Sequence, residues 1–330
     1  MKDLPRFNLL GSSPQFQRVY AQIEKMARVD ATVLIAGETG TGKEMAARAI
    51  HYMGSRCDHP FIPVNCGALA ETLIESELFG HERGAFTDAK AASPGLISEA
   101  NGGTLFLDEI DALSPKAQAA MLRFLQDRTY RRVGSGVTRQ ADVRVIVASN
   151  AHLEQMVEER RFRSDLLYRL NVLTLRMPAL REREGDSLEL AQVFLTRFAR
   201  QYRAQPKTFH PDSLSYIGRH AWPGNVRELE NAVHRGFLMS EGSEVILDGA
   251  PEANTGTMTS QGFDVSFKLA KARAIADFER RYVGELLDRT DGNITRAARL
   301  AGQDRSAFGK LARKHGLGQA VVSQAVETAE

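Results

Sequence analysis

The apolar run Thr32–Ala36 (TVLIA) empties directly into Gly37-Glu38-Thr39-Gly40-Thr41-Gly42-Lys43-Glu44. A GxxxxGK string set between a strand-like run and a helix-like stretch leaves few folds open. Its glycines let consecutive backbone N–H groups point into one concavity, and the helix that follows adds positive potential for phosphate. Lys43 would then sit against the β- and γ-phosphates of a nucleotide. The generic pattern asks for Ser or Thr after the lysine as a Mg²⁺ ligand; here Glu44 stands in that place.

Four more short apolar runs recur downstream: Phe61–Asn65, Thr104–Leu107, Arg144–Ser149 and Val172–Leu175. They are rich in Val, Ile and Leu, and helix-like stretches such as Glu44–Met53, Glu71–Leu78 and Pro115–Asp127 lie between several of them. Apolar strands alternating with helices predict an α/β fold, with a parallel sheet covered on both faces. The third run ends in Asp108-Glu109. A buried strand that delivers carboxylates at its C-terminal edge suits metal and water chemistry: Asp108 holding Mg²⁺ through water, Glu109 polarising a water for in-line attack on the γ-phosphate.

From Ser187 the pattern turns helical, with Leu188–Arg203, Pro211–His220 and Val226–Met239 reading as helices, punctuated by Pro223-Gly224. The expected organisation is an ATPase core over 1–186, a helical subdomain over 187–248 and a flexible linker over 249–264. A small all-helical module over 265–318 and a tail over 319–330 complete it. The linker rests on Gly249–Gly262, fourteen residues with three Gly and three Thr. The last module opens with a long amphipathic helix over Phe267–Asp288, a possible source of dimer contacts, followed by short helices near Asn293–Leu300 and Asp304–Lys314.

Composition sets the outer limits. The 330 residues carry a net charge of only +2, which excludes a polybasic arm but not a locally basic module. No apolar run nears the ~20 residues that span a bilayer, and no apolar segment backs the first charges, so secretion is not expected. Two cysteines make no disulfide framework, and no His/Cys cluster has metal-ligand spacing. Between residues 293 and 318 six basic residues face one acidic residue, a local +5 on 26 residues. There Ile294, Ala297, Ala298, Leu300 and Ala301 would pack one helix, Gly302 would turn the chain, and Phe308 and Leu311 would anchor a second helix, as a helix-turn-helix requires. Arg305 and Ser306 at the start of the second helix are the candidates for base edges of double-stranded DNA, with Lys310, Arg313 and Lys314 for phosphate.

Several long strings carry a resemblance: GETGTGKE (Gly37–Glu44), ESELFGHERGAFT (Glu75–Thr87), GGTLFLDEI (Gly102–Ile110), FRSDLLYRL (Phe162–Leu170) and WPGNVREL (Trp222–Leu229). In them the chain resembles the AAA+ bacterial enhancer-binding proteins, activators that work with sigma-54 RNA polymerase, over roughly Asn8–Ile246, with a Fis-like helix-turn-helix behind. The resemblance implies an AAA+ P-loop ATPase with a helical lid, ATP and Mg²⁺ as ligands, a homo-hexameric ring with dimers at rest, an upstream DNA site and a bacterial cytoplasmic location. In that family the form with Glu44 is usual. Asn65 matches the residue that holds the catalytic glutamate until the γ-phosphate arrives, and Asn150 matches sensor I. Arg163 and Arg169 match the arginine-finger region that reaches a neighbouring subunit's ATP, and Arg227 matches sensor II in the lid. Trp222 is expected to pack the lid. With no receiver domain before the ATPase, the resemblance implies control by a partner protein in trans or by expression level.

One departure stands out. The family's sigma-54-contacting loop reads GAFTGA; here Gly84-Ala85-Phe86-Thr87-Asp88-Ala89 reads GAFTDA. Asp88 adds a negative charge and removes positive-φ freedom where the family has glycine, although Asp tolerates the left-handed region better than most residues. Either the loop still engages sigma-54, or the chain is a DNA-binding regulator that acts by another route. An AAA+ chaperone or protease motor would carry a substrate-processing domain in place of the basic module. A metabolic kinase would need no arginine pair in trans.

Overall fold

The computed structural model describes residues 7, 9–69, 71–86, 89–247, 279, 282–284, 286–287, 289–290 and 292–315. Thr87, Asp88, the expected linker and tail, and most of the expected Phe267–Asp288 helix lie outside them. The chain divides into two compact units, Met1–Ala253 and Asn254–Glu330.

Five strands form the sheet of the first unit: β1 (Val33–Ala36), β2 (Phe61–Asn65), β3 (Thr104–Asp108), β6 (Arg144–Ser149) and β7 (Leu173–Arg176). Their order is β2-β3-β6-β1-β7, and every pairing is parallel. All six residues of β6 and the first four of β3 are buried, which is why Val145–Ala148 and Leu105–Leu107 are apolar without alternation, with polar Arg144, Ser149 and Thr104 at the strand ends. The hairpin β4 (Thr129–Arg131) and β5 (Thr138–Gln140) projects between them.

Helices cover both faces: α1 (Pro14–Ala27), α2 (Lys43–Tyr52), α3 (Glu71–Phe79), the single turn α4 (Leu96–Glu99), α5 (Pro115–Asp127), α6 (Leu153–Glu158) and α7 (Ser164–Leu170). Their starts follow local chemistry. Ser13 and Ser114 accept N-terminal amides of α1 and α5, each with proline in the first turn. One apolar cluster gathers α3, α5 and α7 against one face; a second packs α1 and α2 on the other, around Val33, Ile35, Phe106 and Ile146. A third cluster belongs to α8 (Asp186–Gln201), α9 (Pro211–Arg219) and α10 (Asn225–Met239), tied by the short parallel pair β8 (Thr208–Phe209) and β9 (Glu244–Val245). Trp222 is fully buried in it and donates from Nε1 to the Ile217 carbonyl at 3.0 Å.

In the second unit, helices α11 (Ile294–Leu300) and α12 (Arg305–Lys314) flank a turn at Gly302, whose φ of +63° suits glycine. Ala297, Ala298, Phe308 and Ala312 are buried with Val283, Leu286 and Leu287. Leu300, expected in this core, is instead 57% exposed. Ile294, Ala297, Ala298 and Ala301 share one helical face, and at about 100° per residue position 300 falls roughly 110° away from the centre of that face.

Candidate functional site

The strand order turns the sequence motifs into a row. Along the carboxyl edge of β2-β3-β6-β1 lie, side by side, Asn65, Asp108, Asn150 and the Gly37 loop, the edge where open parallel sheets place ligands. A cavity of about 390 Å³ opens there. It is lined by residues 39–45, Asn65, Asp108, Glu109 and Asn150 from the sheet side, and by Val226, Arg227 and Glu230 from α10.

The loop's shape depends on its glycines. Gly40 and Gly42 have φ of +79° and +96°, and Gly42 is the residue from which α2 starts. Lys43 is 8% exposed, and its Nζ donates to the carbonyls of Gly37 (2.9 Å) and Glu38 (3.1 Å). Burial pulls its pKa below the ordinary lysine value, against the opposite pull of Asp108, Glu109 and Asp111. A buried cation at the head of a glycine loop, with Asp108 and Glu109 lining the same cavity, fits a triphosphate and a divalent ion.

Asp108 ends β3, and its Oδ1 accepts the Glu109 amide at 3.0 Å. Glu109 sits at φ 54°, ψ 50°, a left-handed conformation for a residue with a Cβ, the kind of local strain that clusters at functional sites. Gly67 makes room for its carboxylate: a Cβ there would lie 2.0 Å from Glu109 Oε2 and 3.4 Å from Asn65 Oδ1. Asn65 Oδ1 accepts the Ala68 amide at 2.9 Å, and Asn150 Nδ2 donates to Thr39 Oγ1 at 3.0 Å. Cys66, next to them, is buried, and burial pushes its thiol up to about 12, so it offers no thiolate.

Not every expected residue faces this cavity. Arg163 is exposed at the start of α7, its Nε and Nη2 donating to Asp165 at 3.0 and 2.7 Å. Arg169, also exposed, donates to the Leu125 carbonyl at 3.3 Å. Glu38 turns its carboxylate out of the cavity, toward Arg181 and Asn225, whose hydrogen bonds pull its pKa down to about 2.

Residues not foreseen from the sequence also line the wall, among them Leu9, Leu10, Phe16, Val193, Phe194 and Arg197. The Leu9–Ser13 segment is fixed at the lid by Asp186, which accepts the Ser12 and Ser13 amides and the Ser13 hydroxyl. The Ser13-Pro14 helix start was a legible signal for α1; its docking some 170 residues away was not.

At the surface loop, the Gly84 amide donates to Ala89 O at 2.9 Å and the Ala89 amide to Phe86 O at 3.0 Å. The Phe86 ring lies 5.0 Å from that of His81, whose ring nitrogens pair with Ser76 Oγ and Ala91 O. The Glu82 amide donates to Val133 O, and its carboxylate pairs with Arg132, both in the loop that joins β4 to β5. In the second unit Arg305, Ser306, Lys310, Arg313 and Lys314 are all exposed on α12, Lys314 also pairing with Glu279 at 2.7 Å.

Family models match three consecutive stretches: the sigma-54 interaction domain over residues 9–176, the AAA+ ATPase lid domain over 181–262, and the bacterial regulatory protein, Fis family, over 274–310. The chain is 43% identical over 309 residues to the transcriptional regulatory protein ZraR of Salmonella typhimurium, covering 93% of this chain and 69% of that protein. It is 48% identical over 240 residues to the Nif-specific regulatory protein of Azotobacter vinelandii, 73% of this chain and 46% of that one. NtrX from Brucella abortus, solved in complex with ATP, superposes with a TM-score of 0.70 at 32% identity, over 93% of this chain and 69% of its own.

Proposed function

The chain belongs to the sigma-54 interaction domain family of AAA+ ATPases with a Fis-type DNA-binding module, and from that premise we propose that it is a transcriptional activator. It binds an upstream double-stranded DNA site, assembles as a homo-hexameric ring and uses ATP to remodel closed complexes of sigma-54 RNA polymerase. The observation that carries this reading is the row Asn65–Asp108–Asn150–Lys43 on one sheet edge, facing Arg227 across a single cavity.

Within that cavity the chain's own groups divide the work. The Gly40–Gly42 amides and Lys43 take the phosphates, and Asp108 is placed to hold Mg²⁺ through water. Mg²⁺, when bound, neutralises charge on the phosphate oxygens. Glu109 polarises the attacking water, and Asn65, whose Oδ1 faces the same glycine as Glu109 Oε2, restrains that carboxylate between turnovers. Asn150, in contact with Thr39, senses the γ-phosphate side, and Arg227 closes from the lid.

Arg163 and Arg169 lie exposed and outside their own subunit's cavity, which supports their acting on a neighbour's ATP and makes the ring the active unit. The loop Gly84–Ala89 is taken as working despite Asp88, because its closing hydrogen bonds and its seat on His81 and Val133 are in place. The expected domain divisions, 1–186, 187–248, 249–264 and 265–318, belong to the same proposal, as does a regulator acting in trans. A bacterial cytoplasmic location also does; among the described residues no helix is long and apolar enough to cross a membrane.

The test is complementation between dead subunits. Arg163→Ala is expected to lower hydrolysis by about 10³-fold while still binding ATP, and Glu109→Gln to bind ATP without turnover. Mixing the two restores activity, since an intact Glu109 meets an intact finger from its neighbour. A mixture that stays dead, with a wild-type rate per subunit independent of concentration, overturns the trans assignment.

A further inference from the structure

Glu38 lies inside the phosphate loop, yet its carboxylate is spent on the lid. Arg181 donates to it twice, from Nη1 at 2.8 Å and Nη2 at 2.5 Å, and Asn225 Nδ2 donates at 3.1 Å. Asn225 is the first residue of α10 and completely buried, and it holds a φ of +54°. Its amide is fully used: Nδ2 also donates to the Thr39 carbonyl at 3.0 Å, and Oδ1 accepts the Leu180 amide at 2.8 Å. One residue on, the Val226 amide donates to the Gly40 carbonyl at 3.1 Å. The approach is so close that a Cβ on Gly40 would lie 2.3 Å from the Gly224 carbonyl oxygen. Arg227 follows on the same turn and lines the cavity.

We infer that Glu38, Arg181 and Asn225 are positioning residues that latch the phosphate loop to the lid, so that a change in the loop on nucleotide turnover is passed mechanically to α10 and sets where Arg227 stands. None of the three needs to touch the nucleotide. The side-chain amide of Asn225 bridges both partners, the loop at Glu38 and Thr39 and the lid hinge at Leu180. A left-handed residue at the head of α10 aims that amide at the loop while the helix runs away from it. Arg181 and Asn225 hold the Glu38 carboxyl down to about 2, the direction expected of a carboxylate gripped by hydrogen-bond donors.

The chain carries its own reporter. Trp222, the single tryptophan, sits three residues before Asn225, buried against His220 and Tyr216. The experiment compares wild type with Glu38→Gln, Arg181→Gln and Asn225→Gly, the last keeping the left-handed backbone while deleting the amide. Affinity for a fluorescent ATP analogue, kcat for ATP, and Trp222 emission with ATP against ADP are measured on the full chain. The latch predicts nucleotide affinity within about twofold of wild type and kcat lowered about five- to tenfold, the lower range of coupling between sites. It also predicts that the ATP–ADP difference in Trp222 emission, present in wild type, vanishes in all three. Arg181 is 45% exposed, so Arg181→Gln keeps the test open even if Asn225→Gly does not fold. Affinity falling tenfold with kcat retained would mean that Glu38 binds nucleotide directly. That result overturns the proposal, as do variants with unchanged kcat and emission response, or a wild type whose emission does not distinguish ATP from ADP.

Discussion

Asp186→Ala strikes a buried ion pair, Arg183–Asp186, whose members hydrogen-bond the N-terminal segment at Leu10, Ser12 and Ser13. The Asp186 carboxylate accepts Arg183 Nε at 2.8 Å, Ser12 and Ser13 amides at 2.9 and 2.8 Å, and the Ser13 hydroxyl at 2.8 Å. The two charged side chains are 0% and 1% exposed. Arg183 also donates to the Leu10 carbonyl and lies 3.6 Å over the Phe16 ring. Removing the carboxylate strands a guanidinium inside the protein, and breaking a buried pair from one side costs about 3–5 kcal/mol. At about 2–4 °C per kcal/mol for a unit of this size, the melting point should fall by about 6–20 °C. Trp222 emission follows that unit alone. Arg161→Ala, which removes an exposed pair with Glu159, should move it by less than about 4 °C, since exposed pairs contribute about 0–1 kcal/mol. Arg183→Met added to Asp186→Ala removes the stranded charge and should recover more than half of the loss. An Asp186→Ala protein that melts like Arg161→Ala, or a double variant no better than the single one, would refute the reasoning.

Two further outcomes follow from single side chains. Burial between α2 and the sheet pulls the His51 imidazole from 6.5 down to about 4, with its Nδ1 paired to Thr104 Oγ1. The unfolded chain takes up that proton as pH falls below 6.5 and the folded chain does so only near 4. Its contribution is therefore full above 6.5 and declines by at most about 1.4 kcal/mol per pH unit across that window. The stability difference between wild type and His51→Gln, measured by urea unfolding, should shrink from pH 7 to pH 4; a pH-independent difference would contradict it. Lys310→Ala, on the exposed face of α12, should weaken DNA binding to all sequences alike and lower the log-affinity against log-salt slope by about 1. An unchanged slope would remove Lys310 from the phosphate contacts.

Much of this molecule was legible in its sequence, for a physical reason. Strands buried on both faces, such as β3 and β6, carry apolar stretches without alternation (Leu105–Leu107, Val145–Ala148), and this phosphate loop turns on Gly40 and Gly42 in left-handed conformations. Helix α5 was readable to both ends because Ser114 and Pro115 mark its start locally. Illegible features depended on residues far apart in the chain. Nothing near Ser13 signals Asp186, 173 residues on, and nothing near Glu38 signals Asn225, 187 residues on. Glu38 therefore reads as part of the nucleotide cradle when its side chain faces the lid. Leu9, Leu10 and Phe16 read as an ordinary N-terminus although they wall the cavity. Leu300 shows the opposite failure: hydrophobicity placed it in the core of the second unit, while helical phase turns it to the surface.

The proposed coupling between the ATPase and sigma-54 runs through a loop that reads GAFTDA. The direct measurement is open-complex formation on a promoter with an upstream site, using purified chain, ATP and sigma-54 RNA polymerase, with wild type beside Asp88→Gly and Lys43→Ala. Open complexes are expected with wild type and with Asp88→Gly, and none with Lys43→Ala. ATP hydrolysis by wild type without open complexes, rescued by Asp88→Gly, would contradict that coupling: the motor would be intact and its contact with sigma-54 lost.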